Sequence, residues 1–286
     1  MMKVWNDICY IKNYHGNDSY VTIDIPERED SIIMRNKKVS IVTGAASGIG
    51  LAVAKAFAEE GITVVMADVN EDKLRAAAEE LKCDYYAADL SKRDACKSLV
   101  DYTLEKYGKT DILINVAGIQ NVASIADFPE DRWDFMISLM LTAPFLLTKY
   151  VWNSMKEQNW GRIINLNSIH GLVASEYKAA YVSAKHGLMG LTKTAALEGG
   201  EFGITVNSIC PSYVRTPLVD DQIEAQALNH GITKEEVISK IMLQKSAIKT
   251  LLEPSTIAEV VKFLCSEAGN NITGSALTID GGWTAA

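Results

Sequence analysis

The stretch VSIVTGAASGIG, residues 39–50, decides the fold that this sequence predicts. It joins a β-branched run to an alanine-rich helical pattern through a turn that holds Gly44, Gly48 and Gly50. In such a unit the first glycine permits the tight turn, the second lets the backbone approach a pyrophosphate, and the third lets the helix pack close to the strand. The start of the helix then offers free N–H groups and a positive dipole end to phosphates. Because the turn lacks a Lys-Ser/Thr ending, it predicts a dinucleotide site and not a nucleoside-triphosphate loop.

The same alternation of strand and helix continues to the end of the chain. The pattern predicts seven strands, at residues 39–43, 62–67, 85–88, 112–116, 162–166, 204–209 and 275–279. It predicts intervening helices at residues 51–60, 71–81, 92–107, 130–152 (with an irregularity at Pro144) and 177–198. Strands that alternate with helices need crossover connections, which give a parallel sheet covered on both faces. We therefore predict one doubly wound, Rossmann-type α/β domain with a seven-stranded parallel sheet over residues 37–286.

Composition limits the function classes. The chain has 286 residues, of which 48% are hydrophobic and 22% charged, so neither disorder nor a collagen-like structure is expected. The net charge of −8 opposes a nucleic-acid partner, which needs a basic face. No apolar run approaches the roughly 18 residues of a membrane helix, and the N-terminus lacks the apolar stretch of a secretion signal. We therefore expect a cytoplasmic protein that binds neither nucleic acid nor membranes.

The cysteines and histidines do not suggest a metal. The five cysteines are scattered, without CxxC or zinc-like spacing, which is typical of reduced thiols. The four histidines do not cluster in the sequence either. No metal site is predicted.

An aspartate closes the second strand of the predicted sheet. A carboxylate at this position, Asp68, accepts hydrogen bonds from a ribose 2′-hydroxyl and repels a 2′-phosphate. The glycine turn holds no arginine or lysine that would favour that phosphate. The sequence therefore predicts NAD and not NADP.

Three residues in the second half of the chain predict acid–base chemistry. Tyr181 and Lys185 are four residues apart, so on a helix they share one face. A free phenol has a pKa near 10, and a neighbouring ammonium favours the phenolate, which makes it a better base. Ser168, after the fifth strand, can hydrogen-bond a substrate oxygen. We expect the trio to take the proton of a secondary alcohol.

In combination, these motifs resemble the short-chain dehydrogenase/reductase family over about residues 37–286. The resemblance rests on the glycine turn, Asp89-Leu90, the Asn115–Gly118 strand end, the Ser168…Tyr181-x-x-x-Lys185 pattern and the segment 211–216. It implies that Ser168, Tyr181 and Lys185 are catalytic. It also implies an NAD site formed by Thr43, Gly44, Ser47, Gly48, Ile49, Gly50, Asp68, Asp89, Leu90, Asn115, Ala117, Gly118, Tyr181, Lys185, Pro211, Val214 and Thr216.

The resemblance is stronger to those family members that oxidise D-3-hydroxybutyrate to acetoacetate. It lies in the segments 170–175, 178–187, 209–211 and 216–223. It implies that the carboxylate of a small hydroxy acid or keto acid is bound with the catalytic Ser168 and Tyr181 by Gln120, His170, Lys178, Gln222 and Trp283. A cation, a histidine and two amides suit a small carboxylate, and a local cation is informative in a chain of net charge −8.

One position departs from the family pattern. Met140 stands where the family usually has an asparagine, in the long helix before the strand that leads to Ser168. In the family the main-chain carbonyl at this position largely holds a water of the proton relay, so the methionine is expected either to weaken the relay without abolishing it or simply to pack as an apolar residue of the helix.

Two alternatives remain open. The first is another short-chain reductase, either a 3-oxoacyl-carrier reductase or a sugar-alcohol dehydrogenase. Asp68 opposes the carrier reductase, for which NADP is expected. The second is a catalytically impaired NAD-binding protein, which Met140 favours and the intact Ser168, Tyr181 and Lys185 oppose.

Three features complete the expectations. Residues 1–36 form an extension whose composition allows an ordered arm, a hairpin or a disordered tail. The charged stretch 215–253 interrupts the strand–helix alternation and is expected to act as a substrate lid. The family resemblance implies a homotetramer.

Overall fold

Residues 3–5, 8–11, 21–24 and 37–285 are described by the computed structural model of this chain. The chain divides into two compact units, residues 1–37 and 38–286. In the first unit, β1 (Lys3–Trp5), β2 (Ile8–Ile11) and β3 (Val21–Asp24) form an antiparallel sheet in the order β1-β2-β3. The pattern of residues 1–36 did not predict these strands.

The apolar runs of the second unit form the predicted sheet. Its seven strands are β4 (Val39–Thr43), β5 (Thr63–Asp68), β6 (Asp84–Ala87), β7 (Ile112–Asn115), β8 (Gly161–Leu166), β9 (Ile204–Pro211) and β10 (Ala276–Ile279). All neighbours pair in parallel, in the order β10-β9-β8-β7-β4-β5-β6. The prediction of a seven-stranded parallel sheet is confirmed.

Helices cover both faces of this sheet. They are α1 (Gly48–Glu59), α2 (Glu71–Leu81), α3 (Arg93–Tyr107), α4 (Glu130–Ile137), α5 (Ala143–Glu157), α6 (Ala179–Gly199), α7 (Pro217–His230), α8 (Lys234–Glu236) and α9 (Pro254–Cys265). Adjacent residues of β4 show the two layers, because strand side chains alternate between faces. Val42 packs in a core with Phe57 and Val261, and Ile41 in a second core with Leu99 and Leu147.

The helix predicted over residues 130–152 contains a defect. A π-helical turn, Ser138–Thr142, separates α4 from α5 and lies just before Pro144. Proline has no N–H, so the Met140 carbonyl lacks its usual helical donor at position 144. The whole stretch, residues 130–157, is long and apolar enough to cross a membrane. Its residues Leu147, Val151 and Met155 are buried in a core of the second unit.

The helix α9 is absent from the sequence prediction. Its buried residues Ile257 and Val261 pack in the same core as Val53 and Phe57 of α1. This helix therefore closes one face of the sheet.

The order of the strands shows where a crevice for a ligand lies. The chain runs outward from β4 through β5 to β6 and then returns to β7 on the other side of β4. At such a reversal the connections diverge and leave a crevice at the carboxyl ends of the strands. The glycine turn follows β4 at that point. The segment 215–253 contains α7, α8 and a π-helical turn, Val237–Met242, around a small core of Ile223, Val237, Met242, Leu243 and Leu251.

Candidate active site

A cleft of about 440 Å³ lies at the carboxyl ends of the strands. Fourteen of the predicted cofactor residues line it: Gly44, Ser47, Gly48, Ile49, Asp68, Asp89, Leu90, Ala117, Gly118, Tyr181, Lys185, Pro211, Val214 and Thr216. The structure therefore brings together residues from distant parts of the chain. It also adds apolar residues that the sequence analysis missed, among them Phe135 and Leu139.

The glycine turn fits a dinucleotide. Gly44 and Gly48 have φ of 65° and 55°, in the left-handed region that side chains disfavour. A Cβ on Gly50 would lie 2.2 Å from the Gly44 carbonyl oxygen, so only glycine lets α1 start this close to β4. Ser47 makes no side-chain capping bond and the first turn of α1 holds no acidic residue. The helix start is thus open to an anion.

Asp68 lies beside the glycine turn and lines the same cleft. Its carboxylate accepts the Ala46 N–H at 3.1 Å and the Asn70 N–H at 3.0 Å. These bonds fix the carboxylate at the end of β5, beside the glycine turn. A ribose bound along the cleft would meet a negative charge there.

The remaining predicted cofactor residues, Thr43, Gly50 and Asn115, do not line the cleft. The Thr43 hydroxyl accepts the N–H groups of Val116 and Ala117, at 2.9 and 3.1 Å, and so holds the turn after β7. The Asn115 amide donates to Asn165 Oδ1 at 2.9 Å inside the sheet. We therefore assign Thr43, Gly50 and Asn115 to shaping the cleft.

Tyr181 and Lys185 project from the first two turns of α6. The Lys185 ammonium lies 5.6 Å from the centre of the Tyr181 ring and donates to the Leu166 carbonyl at 2.7 Å. Ser168, just after β8, is 7% exposed, and its hydroxyl accepts the His170 N–H at 3.2 Å. The strand end and the helix thus place three reactive side chains at one wall of the cleft.

Burial controls the protonation of this trio. It raises the pKa of Tyr181, and hydrogen bonding from Ser168 opposes that rise with a smaller effect. It lowers the pKa of Lys185 to about 8. Burial therefore acts against the acidic phenol that the spacing predicts, and the acidity of Tyr181 with cofactor and substrate bound stays a prediction. Desolvation disfavours the charged phenolate, and the Lys185 ammonium donates its hydrogen bond to the Leu166 carbonyl.

A cysteine lies behind the trio. Cys210 is fully buried in β9, and burial raises the pKa of its thiol to about 11, although Lys185 and the Ser168 backbone act in the opposite direction. The thiol is therefore neutral at physiological pH.

Three of the predicted substrate residues form a connected wall. The His170 ring lies edge-on to the rings of Tyr181 and Trp283, with centroids 6.2 and 6.1 Å apart. The Lys178 ammonium is 3.4 Å from His170 Nε2. The turn that carries Trp283 is held by Asp280, which accepts the N–H groups of Gly282 and Thr284, each at 2.9 Å.

The charge of this wall is well defined. Burial, followed by the charge of Lys178, lowers the pKa of His170 to about 4, so its imidazole is neutral and Nε2 can accept from the ammonium. Burial also lowers the pKa of Lys178. No carboxylate among residues 37–285 forms an ion pair with Lys178. The wall therefore presents a half-buried cation without a partner anion in the described part of the chain.

The other two predicted substrate residues stand apart. Gln120 lies in the loop after β7 and Gln222 on α7, both half-buried and without a described contact to the wall. The Gln120 loop is tied to the segment before Lys178, because the Ala123 N–H donates to the Tyr177 carbonyl at 3.0 Å. The structure also brings in Lys245, whose ammonium lies 4.8 Å from the centre of a Trp283 ring and which no motif marked.

The chain is similar to known oxidoreductases along most of its length. A family model described as enoyl-(acyl carrier protein) reductase matches residues 44–284. A D-beta-hydroxybutyrate dehydrogenase of Cupriavidus necator is 42% identical over 257 residues, which cover 88% of this chain and 100% of the relative. The chain belongs to the short-chain dehydrogenase/reductase family. It is an oxidoreductase of that family.

Other relatives of this short-chain dehydrogenase/reductase show the breadth of the family. A D-beta-hydroxybutyrate dehydrogenase of Rhizobium meliloti is 42% identical over 87% of this chain and 99% of its own length. A 3-oxoacyl-(acyl-carrier-protein) reductase of Thermotoga maritima is 34% identical over 86% of this chain and 97% of its own. A crystal structure of a single-residue variant of actinorhodin polyketide ketoreductase with NADPH superposes with a TM-score of 0.82, at 32% identity, over 87% of this chain and 98% of that one.

Proposed function

We propose that this protein is an NAD-dependent dehydrogenase of short 3-hydroxy acids, which oxidises D-3-hydroxybutyrate to acetoacetate. The observation that carries the proposal is the Lys178 ammonium, half-buried beside His170, whose ring in turn lies edge-on to the Tyr181 ring. A carboxylate bound there neutralises a charge that burial has made costly. Acids with a three- or four-carbon backbone would then place a 3-hydroxyl near Tyr181. The identity to two D-beta-hydroxybutyrate dehydrogenases supports this choice.

In the proposed reaction, residues of this chain bind the substrate and transfer its proton. Lys178 binds the substrate carboxylate, His170 donates or accepts beside it, and Trp283 shields the pair from water. Ser168 hydrogen-bonds the oxygen of the reacting alcohol. The Tyr181 phenolate takes the hydroxyl proton, and in the reverse direction the phenol returns it. When bound, the nicotinamide ring supplies the acceptor for the hydride of the alcohol carbon.

Asp68 supports NAD as the cofactor. Its carboxylate is fixed by two backbone N–H groups beside the glycine turn, where an adenosine ribose would lie in the cleft. A 2′-phosphate would bring a second negative charge to this position. The glycine turn contains no basic side chain to offset that charge.

The deciding experiment is a panel of short hydroxy acids with NAD and NADP. We expect NADH formation with D-3-hydroxybutyrate, little with the L-enantiomer, and a preference for NAD. In the same assay Tyr181→Phe should lose at least about a hundredfold in kcat, the scale of general acid–base catalysis. Turnover of sugar alcohols instead, or of 3-oxoacyl carriers with NADPH, would establish the alternative reductase. Inactivity on every substrate, with NAD binding retained, would establish an impaired binding protein.

We also propose a cytoplasmic homotetramer, as the family resemblance implies. Exposed apolar side chains on neighbouring helices, Phe145 of α5 and Leu197 of α6, support burial against another copy. Light scattering should give about four times the 31.3 kDa chain mass, and a monomer mass would overturn the proposal.

A further inference from the structure

Asn167 contacts the backbones of two catalytic residues at once. It lies between Leu166, the last residue of β8, and Ser168, and its side chain is 3% exposed. Its Oδ1 accepts the Ser168 N–H at 2.9 Å, and its Nδ2 donates to the Lys185 carbonyl at 3.1 Å. One carboxamide therefore spans from the serine loop to the catalytic helix.

Leu166, the residue before Asn167, also binds Lys185. The Leu166 carbonyl accepts from the Lys185 ammonium at 2.7 Å. Two consecutive residues at the end of β8 thus hold Lys185 by both its side chain and its main chain. Because Tyr181 is one turn earlier on the same helix, its position follows that of Lys185.

The surroundings leave the carboxamide little freedom. Its Nδ2 is also 3.4 Å from Ser208 Oγ, which is 2.9 Å from the hydroxyl of Thr192 on α6. On the opposite side, a Cβ added to Gly171 would lie 2.2 Å from Asn167 Oδ1. Glycine at 171 therefore provides the space that the carboxamide occupies.

We propose that Asn167 is a positioning residue, which fixes the separation between the Ser168 hydroxyl and the helix that carries Tyr181 and Lys185. The inference rests on the proposed function, because it takes these three residues as the catalysts. Errors of about 1 Å in such a site reduce turnover by about a hundredfold. No sequence motif pointed to Asn167, since its two bonds join residues on different elements.

The test compares Asn167→Ala with a matched control, Asn207→Ala. Asn207 is fully buried in β9, where its side chain donates to the Ile272 carbonyl and accepts the Ser275 N–H, at 2.6 and 3.1 Å. Asn167→Ala loses three buried hydrogen bonds and Asn207→Ala loses two, so both variants should unfold at lower temperature. Only Asn167→Ala should also lose kcat, by about 10- to 100-fold, with the KM for NAD changed by less than about twofold. Equal kcat in the two variants would overturn the proposal.

The pH profile gives a readout that lost stability alone does not move. The Ser168 hydroxyl lowers the pKa of Tyr181, in opposition to burial. A loosened Ser168 should therefore displace the alkaline rise of hydroxy-acid oxidation to higher pH in Asn167→Ala. Asn207→Ala should keep the profile of the unmodified enzyme. An unmoved profile in Asn167→Ala contradicts a positioning role.

A second variant, at Gly171, keeps the Asn167 side chain but moves it from its position. Gly171→Ala should lower kcat, because the new methyl group must push Asn167 Oδ1 aside. The double variant Asn167→Ala with Gly171→Ala should be no slower than Asn167→Ala, since the displaced group is gone. If the losses of kcat in the two single variants add up in the double variant, Gly171→Ala acts through a residue other than Asn167, which counts against the positioning role. Inactivity of the unmodified protein on every hydroxy acid would contradict the proposed function instead, so the two failures are distinct.

Discussion

At the scale of single residues, Lys178 is the cation that the carboxylate of the proposed substrate would meet. It is half-buried, its pKa is lowered by burial, and no described carboxylate pairs with it. A charge-assisted hydrogen bond contributes about 1.5–3 kcal/mol, which corresponds to roughly 10- to 150-fold in affinity. A substrate carboxylate should therefore depend strongly on this one ammonium.

Lys178→Ala should raise the KM for D-3-hydroxybutyrate by about 10- to 100-fold and leave the KM for NAD nearly unchanged. Initial-rate kinetics with each substrate varied would measure both constants. Lys193→Ala, at an exposed lysine on the helix α6 that directly follows Lys178, is the matched control. Equal increases in both KM values would remove Lys178 from carboxylate binding.

His170 makes folding sensitive to acid. Its pKa is about 4 in the folded protein, against 6.5 for an ordinary histidine, because it is buried beside Lys178. The unfolded chain therefore binds the proton first as the pH falls. The stability that the neutral imidazole contributes is complete above pH 6.5 and is lost as the pH falls towards 4.

We expect this loss to reach roughly 3 kcal/mol at most. Urea unfolding of the protein and of His170→Asn, at several pH values between about 7 and 4, would measure it. The variant should lose less stability over that range, whereas His230→Asn, at an exposed position, should behave like the unmodified protein. Parallel pH dependence in all three proteins would contradict the assignment.

At the scale of elements, the π-helical turn explains how the chain tolerates Met140. This side chain is fully buried with Met136, Ala180 and Ala184, so an apolar residue fits the space. Pro144 lacks an N–H, which leaves the Met140 carbonyl without its usual helical donor. We therefore expect this carbonyl, without the donor at position 144, to be able to hold a water whatever side chain stands at position 140.

Met140→Asn should therefore not raise kcat. It would bury an amide among apolar groups and lower the free energy of unfolding by about 1–3 kcal/mol. Denaturant unfolding and kcat with D-3-hydroxybutyrate would be measured together, with Met140→Leu as the control for a change of shape alone. A faster and equally stable Met140→Asn would show that the methionine impairs a relay that asparagine restores.

The sequence predicted the elements with strong periodicity and missed those set by distant contacts. The runs of β4, β7 and β9 are apolar because both faces of a parallel sheet are covered, so their pattern was sufficient. The π-helical turn lies one turn before the proline that marks it, because the proline removes a bond to a residue four positions back. The helix α9 begins at Pro254 after a charged stretch, and its apolar face matters only once α1 lies against it.

The candidate site shows the same division. The glycine turn, Asp68 and the Tyr181–Lys185 spacing are local patterns, and the structure brings those residues together. The bonds of Asn167 and the approach of Lys245 to Trp283 join segments far apart in the chain. The direction of the Tyr181 pKa also required the structure, because spacing gives the neighbour's charge but not the degree of burial.

At the scale of the whole molecule, the segment 215–253 has joined ends and a core of its own, and we expect it to act as a lid. Its ends meet, because the Arg215 N–H donates to the Leu252 carbonyl at 2.8 Å and the Leu252 N–H donates to the Tyr213 carbonyl at 3.0 Å. It has its own small core, and residues 217–219 of α7 line the cleft. A segment with joined ends and an internal core can close over a ligand without disturbing the sheet.

Hydrogen exchange should therefore slow in residues 215–253 when NAD and D-3-hydroxybutyrate are added together, and slow less with either alone. Mass spectrometry of peptides from this segment would measure the change, with peptides from β8 as the internal reference. Unchanged exchange in the segment, under conditions in which turnover is observed, would contradict a lid.

The buried thiol of Cys210 has a practical consequence for work with this protein. A fully buried thiol near the end of β9, with a pKa of about 11, has almost no thiolate to react with alkylating reagents while the chain is folded. Its modification must wait for the sheet to open, so the labelling rate reports how often that happens. Mass spectrometry after timed alkylation would thus measure the rate at which the sheet around Cys210 opens, without any substrate.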